Sequence, residues 1–293
     1  MRLLRLAMVL LFASLPLHAA ERAAVIATYA YARYDRAAAL QPLATVLGEA
    51  LGQAVQVRVL ESPRALAAAL REGSVDLAVT NTFVYLAVRG DAHLQPLAVF
   101  DVPAATLDAY RGVLLARRDR VTLTTLRLTD RPLRYAQVIP GSTSGGLVQD
   151  LFLAASGVNG STQLHARYSG THEAALADLQ QDRADVAALA DAPWQAAQRA
   201  STAGDVVELW RSPPIPPGPM VCRDAGRIDC AQARALLLNL QHKAPDALAA
   251  VVAAWSEAAG ATRLVPVREP AYDALTAGFA DAAAGRAVLE KLL

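Results

Sequence analysis

Residues 133–156 read LRYAQVIPGSTSGGLVQDLFLAAS. An apolar strand over 133–139 runs into the tight turn Pro140-Gly141-Ser142-Thr143-Ser144-Gly145-Gly146, which opens directly into a helix over 147–156. A strand feeding a helix through a short turn is the unit of an α/β fold. The same unit recurs upstream. Residues 23–27 form an apolar strand, and the helix over 36–52 places Leu40, Leu43, Leu47, Ala50 and Leu51 on one face, with Gly52 where a C′ residue belongs. Val55, Val57 and Val59 alternate with Gln56 and Arg58, the pattern of a half-buried strand. A helix over 63–72 begins with Pro63 and stops at Gly73. The strand 75–79 then leads into Thr80-Asn81-Thr82, an N-cap cluster for a helix over 83–89, and 94–100 is the next strand.

The pattern restarts with a strand at 112–117 and continues through 133–156. Gly170-Thr171-His172-Glu173 opens a helix to about 181 with Thr171 as its N-cap, and Asp191 follows a strand at 185–189. Residues 211–219, RSPPIPPGP, hold too many prolines for a helix or a central strand and predict an extended crossover. The chain after 231 is mostly helical. The expectation is an α/β protein with largely parallel sheets and two lobes: 21–106, then 107–210, then a return to the first lobe over 211–293.

Composition narrows the function classes. Apolar residues make up 54% of the 293 and charged residues 19%, enough for a large core. Lys plus Arg number 28 against 27 Asp plus Glu, a balance that argues against a nucleic-acid or anionic-membrane binder. Residues 1–20 have an arginine-bearing start (Arg2, Arg5), an apolar run too short to span a membrane, and Ala19-Ala20 before Glu21-Arg22. That is the layout of a secretory signal peptide. No cysteine follows the apolar run, so a lipid anchor is not indicated. Export to an oxidising compartment makes a local disulfide between Cys222 and Cys230 plausible, the alternative being two separately buried thiols.

In open α/β sheets ligands gather at the carboxyl ends of strands. The segments placed there are Thr80-Asn81-Thr82, Ser142-Thr143-Ser144, Gly170-Thr171-His172 and Asp191. The Ser142–Ser144 turn offers unpaired helix-start amides and three hydroxyl donors, which suits a tetrahedral oxyanion. His172 adds a ring N–H donor, stronger still if protonated. Asp191 is an acceptor for a ligand P–OH or amine, or else a helix cap. Tyr85, and Tyr29 or Tyr31, are candidate cleft aromatics.

The run from Tyr110-Arg111-Gly112-Val113-Leu114-Leu115 through Pro140–Leu147 to Gly170-Thr171-His172-Glu173 and Ala184-Asp185-Val186-Ala187-Ala188 resembles the phosphate-, phosphite- and phosphonate-binding periplasmic proteins of ABC importers. Gln41-Pro42-Leu43-Ala44, Val75-Asp76-Leu77-Ala78 and Pro214-Ile215-Pro216-Pro217-Gly218-Pro219 extend the likeness over nearly the whole mature chain. The resemblance implies the type II periplasmic-binding fold, with a hinge and an interlobe cleft closing on ligand. It implies that Ser142, Thr143, Ser144 and His172 hold the phosphonate oxygens, and that closure brings Thr80, Asn81 and Thr82 against them. It also implies a monomer that meets an ABC permease in the inner membrane, with no cofactor. Exported binders of this shape also feed membrane sensor kinases, and that alternative stays open.

An enzyme fits the residues less well. The central residue of Gly141-Ser-Thr-Ser-Gly145 is Thr143, so this is not a nucleophile elbow; no Lys-Ser/Thr follows Gly146, so it is not a P-loop. The five histidines have no metal-ligand spacing.

Overall fold

The computed structural model describes residues 23–280 and positions 285, 287, 288 and 291; the signal peptide expected over 1–20 lies outside the described residues. The chain runs β1 (Ala24–Tyr29), α1 (Arg36–Leu51), β2 (Val55–Leu60), α2 (Pro63–Arg71), β3 (Leu77–Val79), α3 (Thr82–Val88), β4 (Leu94–Phe100) and α4 (Ala104–Ala109). It continues through β5 (Gly112–Arg117), α5 (Leu123–Leu128), β6 (Leu133–Gln137), a π-type turn Thr143–Leu147, α6 (Val148–Ala155), β7 (Leu164–Tyr168), α7 (His172–Gln180), β8 (Val186–Ala190), α8 (Asp191–Arg199) and β9 (Val206–Arg211). After the proline-rich crossover come β10 (Met220–Arg223), α9 (Cys230–Leu237), α10 (Leu240–Lys243), α11 (Pro245–Ala253), a 3-10 turn Ser256–Ala258, β11 (Leu264–Val265) and α12 (Glu269–Ala280).

Two sheets result. The first has the order β11-β4-β10-β3-β1-β2 and the second β7-β6-β8-β5-β9. Each is buried on both faces by period-two alternation. In the first, Ile26, Leu77 and Val79 pack with Leu40, Leu43 and Leu47 of α1, while Ala27 and Ala78 face Leu66, Leu70 and Val84 of α2 and α3. In the second, Val113, Leu115, Ala187 and Leu189 pack on Ala175 and Leu179 of α7, while Leu114, Ala116, Val186 and Ala188 meet Leu126 and Leu153.

The sheets are mixed rather than largely parallel. β1, β2 and β3 pair in parallel, as do β6, β7 and β8. β10 runs antiparallel to β3 and β4, and β5 antiparallel to β8 and β9. The cause is the two crossovers, each of which hands the chain to a sheet it enters in the opposite direction. No sequence pattern marked β9, which leads into the second crossover, or the short strands β10 and β11. Helix ends follow the capping chemistry. Gly52 closes α1 in the left-handed conformation, and Ser62, Asn81 and Thr171 cap α2, α3 and α7.

A disulfide joins Cys222 of β10 to Cys230 at the start of α9, tying the returning chain to the first sheet. Its two cysteines are only eight apart, so the chain-entropy gain is modest, about 2–3 kcal/mol. Replacing both buried cysteines by alanine is expected to lower unfolding stability by about that amount in urea titration. The same loss is expected when the wild-type protein is titrated in reductant.

Candidate functional site

The turn after β6 is built to leave donors free. Gly141 sits at φ +85, a conformation that turns the chain sharply and is strained for any residue with a Cβ. Ser142 then caps the π-type turn, its Oγ accepting from the Gly145 amide at 3.1 Å. The Gly145 carbonyl accepts from the Val138 amide at 3.0 Å, which pins the turn to the end of the sheet. Amides at the start of a helix, here those of Thr143 and Ser144, are beyond the reach of intrahelical carbonyls. Ser142, Thr143 and Ser144 are all buried.

They are buried because the first lobe presses on them. The Phe83 amide, at the start of α3, donates to Thr143 Oγ1 at 2.9 Å. Asn81 caps α3 through its Oδ1 and uses its Nδ2 to donate to the Gly141 carbonyl at 3.0 Å. A Cβ on Gly141 would lie 2.8 Å from the Phe83 ring and 2.9 Å from the Arg64 amide, so only glycine permits this approach. At the other edge Arg33, in the loop after β1, pairs with Glu173 of α7.

His172 opens α7 beside the turn. Its Nδ1 accepts from the Ala190 amide at 2.9 Å, so in the neutral ring the proton sits on Nε2, a donor. Burial, with a further push from the nearby Arg33 charge, lowers its pKa to about 4. The imidazole is therefore neutral at ordinary pH, and the option of an imidazolium donor falls away.

Three tyrosines stand around these groups. The Tyr110 hydroxyl is 3.2 Å from Ser144 Oγ, and the Tyr31 ring lies 6.1 Å from that of His172. The Tyr29 hydroxyl interacts with the Asn81 side chain. Burial pushes Tyr29 and Tyr31 up to about 12 and Tyr110 well above the usual range, so all three remain protonated donors. Buried Glu257 is close enough to act on both Tyr29 and Tyr110.

Asp191, 1% exposed, starts α8. Its Oδ2 accepts from Arg211 and Gln195, while Oδ1 has no hydrogen-bond partner among the described residues. The remaining candidates face elsewhere. The Thr80 hydroxyl donates to the Pro219 carbonyl at 2.6 Å and that of Thr82 to the Pro216 carbonyl, so both hold the crossover. The Tyr85 hydroxyl donates to Glu269 against α12. Thr171 caps α7, its Oγ1 accepting from the Ala174 amide at 3.1 Å. The structure thus gathers Ser142, Thr143, Ser144, His172 and Asn81, and adds Tyr110 and Glu257. No motif flagged those two, because each comes from a connecting segment whose place depends on the folded lobes.

A family model of phosphonate-specific periplasmic substrate-binding proteins of ABC transporters matches residues 25–272. The chain belongs to this family. Solved structures give the same fold: PhnD1 from Prochlorococcus marinus in complex with methylphosphonate is 17% identical with a TM-score of 0.61, covering 88% of this chain and 97% of that one. XAC2383 from Xanthomonas citri, in a chloride-bound form, is 18% identical with a TM-score of 0.65, covering 92% and 99%. A binding-protein component of a phosphonate ABC transporter from Pseudomonas aeruginosa is 18% identical with a TM-score of 0.61, covering 92% and 95%. No curated protein matches the chain. As a phosphonate-family substrate-binding protein it is the periplasmic component that presents a small ligand to an ABC transporter.

Two outcomes follow from this geometry. Gly141→Ala blocks the approach of the lobes, and its affinity for methylphosphonate in calorimetry is expected to fall about tenfold or more, with both lobes still folded by circular dichroism. For His172, the folded form resists the proton that the unfolded chain accepts near pH 6.5. Its contribution to stability is complete above that pH and is lost as pH falls toward about 4. The stability difference between wild type and His172→Gln, measured by urea titration, is expected to shift against wild type across that window.

Proposed function

We propose that the chain is exported by residues 1–20 and works as a monomer. It captures a small phosphonate-, phosphite- or phosphate-like oxyanion at Ser142, Thr143, Ser144 and His172, and releases it unchanged to the permease of an ABC importer. The single observation that carries the site is the state of its hydroxyls. Ser142 Oγ and Thr143 Oγ1 each already accept a backbone N–H, at 3.1 and 2.9 Å, which leaves each hydroxyl proton as a donor. The His172 Nε2–H and the Tyr110 hydroxyl add further donors, and the helix-start amides of the turn add their partial positive charge.

Such a site meets an anion with dipoles instead of a full counter-charge. Arg33, whose charge acts on His172, is engaged by Glu173 at the surface, and buried Arg36 is engaged by the Tyr29 and Ala254 carbonyls. Desolvated hydroxyl and amide donors still hold an oxyanion well, because hydrogen bonds to an ionised acceptor are roughly twice as strong as neutral ones. The unpartnered Asp191 Oδ1, adjacent in sequence to the residue that fixes His172, supplies the opposite polarity. An acceptor there favours a ligand that keeps a P–OH proton over a fully ionised or proton-free oxyanion such as sulfate.

Thr143 has two roles in turn. Closed on itself, the protein uses Phe83 N–H against Thr143; with ligand bound, the same seam shuts over the anion. Ligand contacts made only when the lobes meet shift the population toward the closed form. Replacing Ser142 and Thr143 together by alanine is expected to weaken methylphosphonate binding by about 1–3 kcal/mol, the scale of lost hydrogen bonds to a charged group. Calorimetry reads that loss, and unchanged affinity would remove the hydroxyl turn from the site. In a thermal-shift comparison, phosphonate, phosphite and phosphate are expected to raise the melting point and sulfate to leave it where it was.

A further inference from the structure

A cavity of about 540 Å³ lies on α6 and the second sheet, bounded by the first lobe. It reaches Ser142 and Gly146 at the back of the hydroxyl turn but includes none of Ser144, His172, Tyr31 or Tyr110. Its volume is within the range of small-molecule sites. Leu153, Val158 and Leu164 make apolar walls. The charged side chains among the described lining residues are three: Asp150, Arg64 and Lys291.

Asp150 is the polar centre. The Tyr135 hydroxyl donates to its Oδ1 at 3.1 Å, and Gln137 Nε2 donates to both oxygens at 2.8 and 2.9 Å. Tyr135 and Gln137 are themselves buried, so the carboxylate is held from one side by fixed donors. No arginine or lysine among the described residues forms an ion pair with it. A half-buried carboxylate with no ion pair is costly, and desolvation raises its pKa to about 6 even though its two donors and the Arg64 charge pull the other way. A carboxylate can accept about four hydrogen bonds, so Asp150 has acceptor capacity to spare on the side that faces the cavity. Arg64 and Lys291 are both exposed, which places their charges at the rim.

We infer that this cavity is a second ligand site, separate from the oxyanion cleft, for a small zwitterion: an ammonium group on Asp150, an apolar spacer along Leu153, Val158 and Leu164, and an anionic end at Arg64 and Lys291. The order of charges decides the class. A simple cation would satisfy the floor but meet two like charges at the mouth. A simple anion would suit the mouth and leave the Asp150 carboxylate without an ion-pair partner. Because Arg64 and Phe83 belong to the first lobe and the other walls largely to the second, the rim is complete only when the lobes meet.

The test is calorimetry on the full mature chain with 6-aminohexanoate as the probe, alongside hexanoate and hexylammonium. The zwitterion is expected to bind, and both single-charge analogues to bind about tenfold more weakly or worse. Asp150→Asn removes the charge and keeps the shape; Ala154→Trp fills the cavity from its wall. Each is expected to lose about tenfold or more in 6-aminohexanoate affinity while methylphosphonate affinity stays within about twofold. Saturating methylphosphonate is expected not to displace the probe. The inference is overturned if 6-aminohexanoate gives no heat at concentrations on the order of 10 mM. Equal binding of hexanoate, competition by methylphosphonate, or undiminished binding to Ala154→Trp overturns it as well. If Asp150→Asn fails to fold, the filled variant decides alone. Loss of methylphosphonate binding in the wild type would instead count against the cleft and leave the cavity result readable.

Discussion

The contact between the amide that starts α3 and the hydroxyl of Thr143 is the point on which the rest depends. It joins two sheets that share no hydrogen bonds, and it does so at the place where donors are scarce and valuable. The Asn81 side chain reinforces it by capping one helix and reaching the Gly141 carbonyl of the other lobe. Gly141 is required for a steric reason: a methyl group there would occupy the position of the Phe83 ring. The seam therefore combines these hydrogen bonds and one close approach with apolar packing, in which Leu147, Leu151, Phe152 and Trp210 of the second lobe share a cluster with Phe83, Val84 and Tyr272.

Burial governs the electrostatics of the cleft. His172 and the three tyrosines are all driven toward their neutral forms, and the buried cation beside them, Arg36, is stacked over Tyr29 and donates to the Tyr29 and Ala254 carbonyls. Neutral donors cost less to desolvate than an arginine or lysine, and they also let the ligand leave. On the far side of the same turn the logic reverses. Asp150 is a carboxylate among apolar walls whose hydrogen-bond partners carry no charge, with the Arg64 guanidinium acting on it from the rim. One short turn thus separates a donor-lined cleft from an acceptor-floored cavity.

Much of the fold was legible in the residues. Gly52, Pro63, Asn81 and Thr171 marked helix ends because capping is local chemistry, satisfied within three or four residues. Alternation in β2 and the apolar runs of β5 and β8 marked strands for the same reason. Strand direction was not legible, because it depends on how far each crossover travels before rejoining a sheet. In the site, Ser142 and His172 were visible as polar residues at helix starts. The roles of Thr80 and Thr82 were not, since the carbonyls they hold lie more than a hundred residues away. Tyr110 lay in the run that carried the family likeness but had no site role there, and Glu257 carried no motif at all.

By itself the sequence determined the alternation of strands and helices, the hydroxyl turn and its glycine, and the family likeness, because each rests on neighbours within a few residues. Only the tertiary structure decided which hydroxyls remain donors, that His172 is neutral, and that a second cavity backs the turn. Those properties arise from burial and from partners brought together by the closure of two lobes, and no local pattern encodes either.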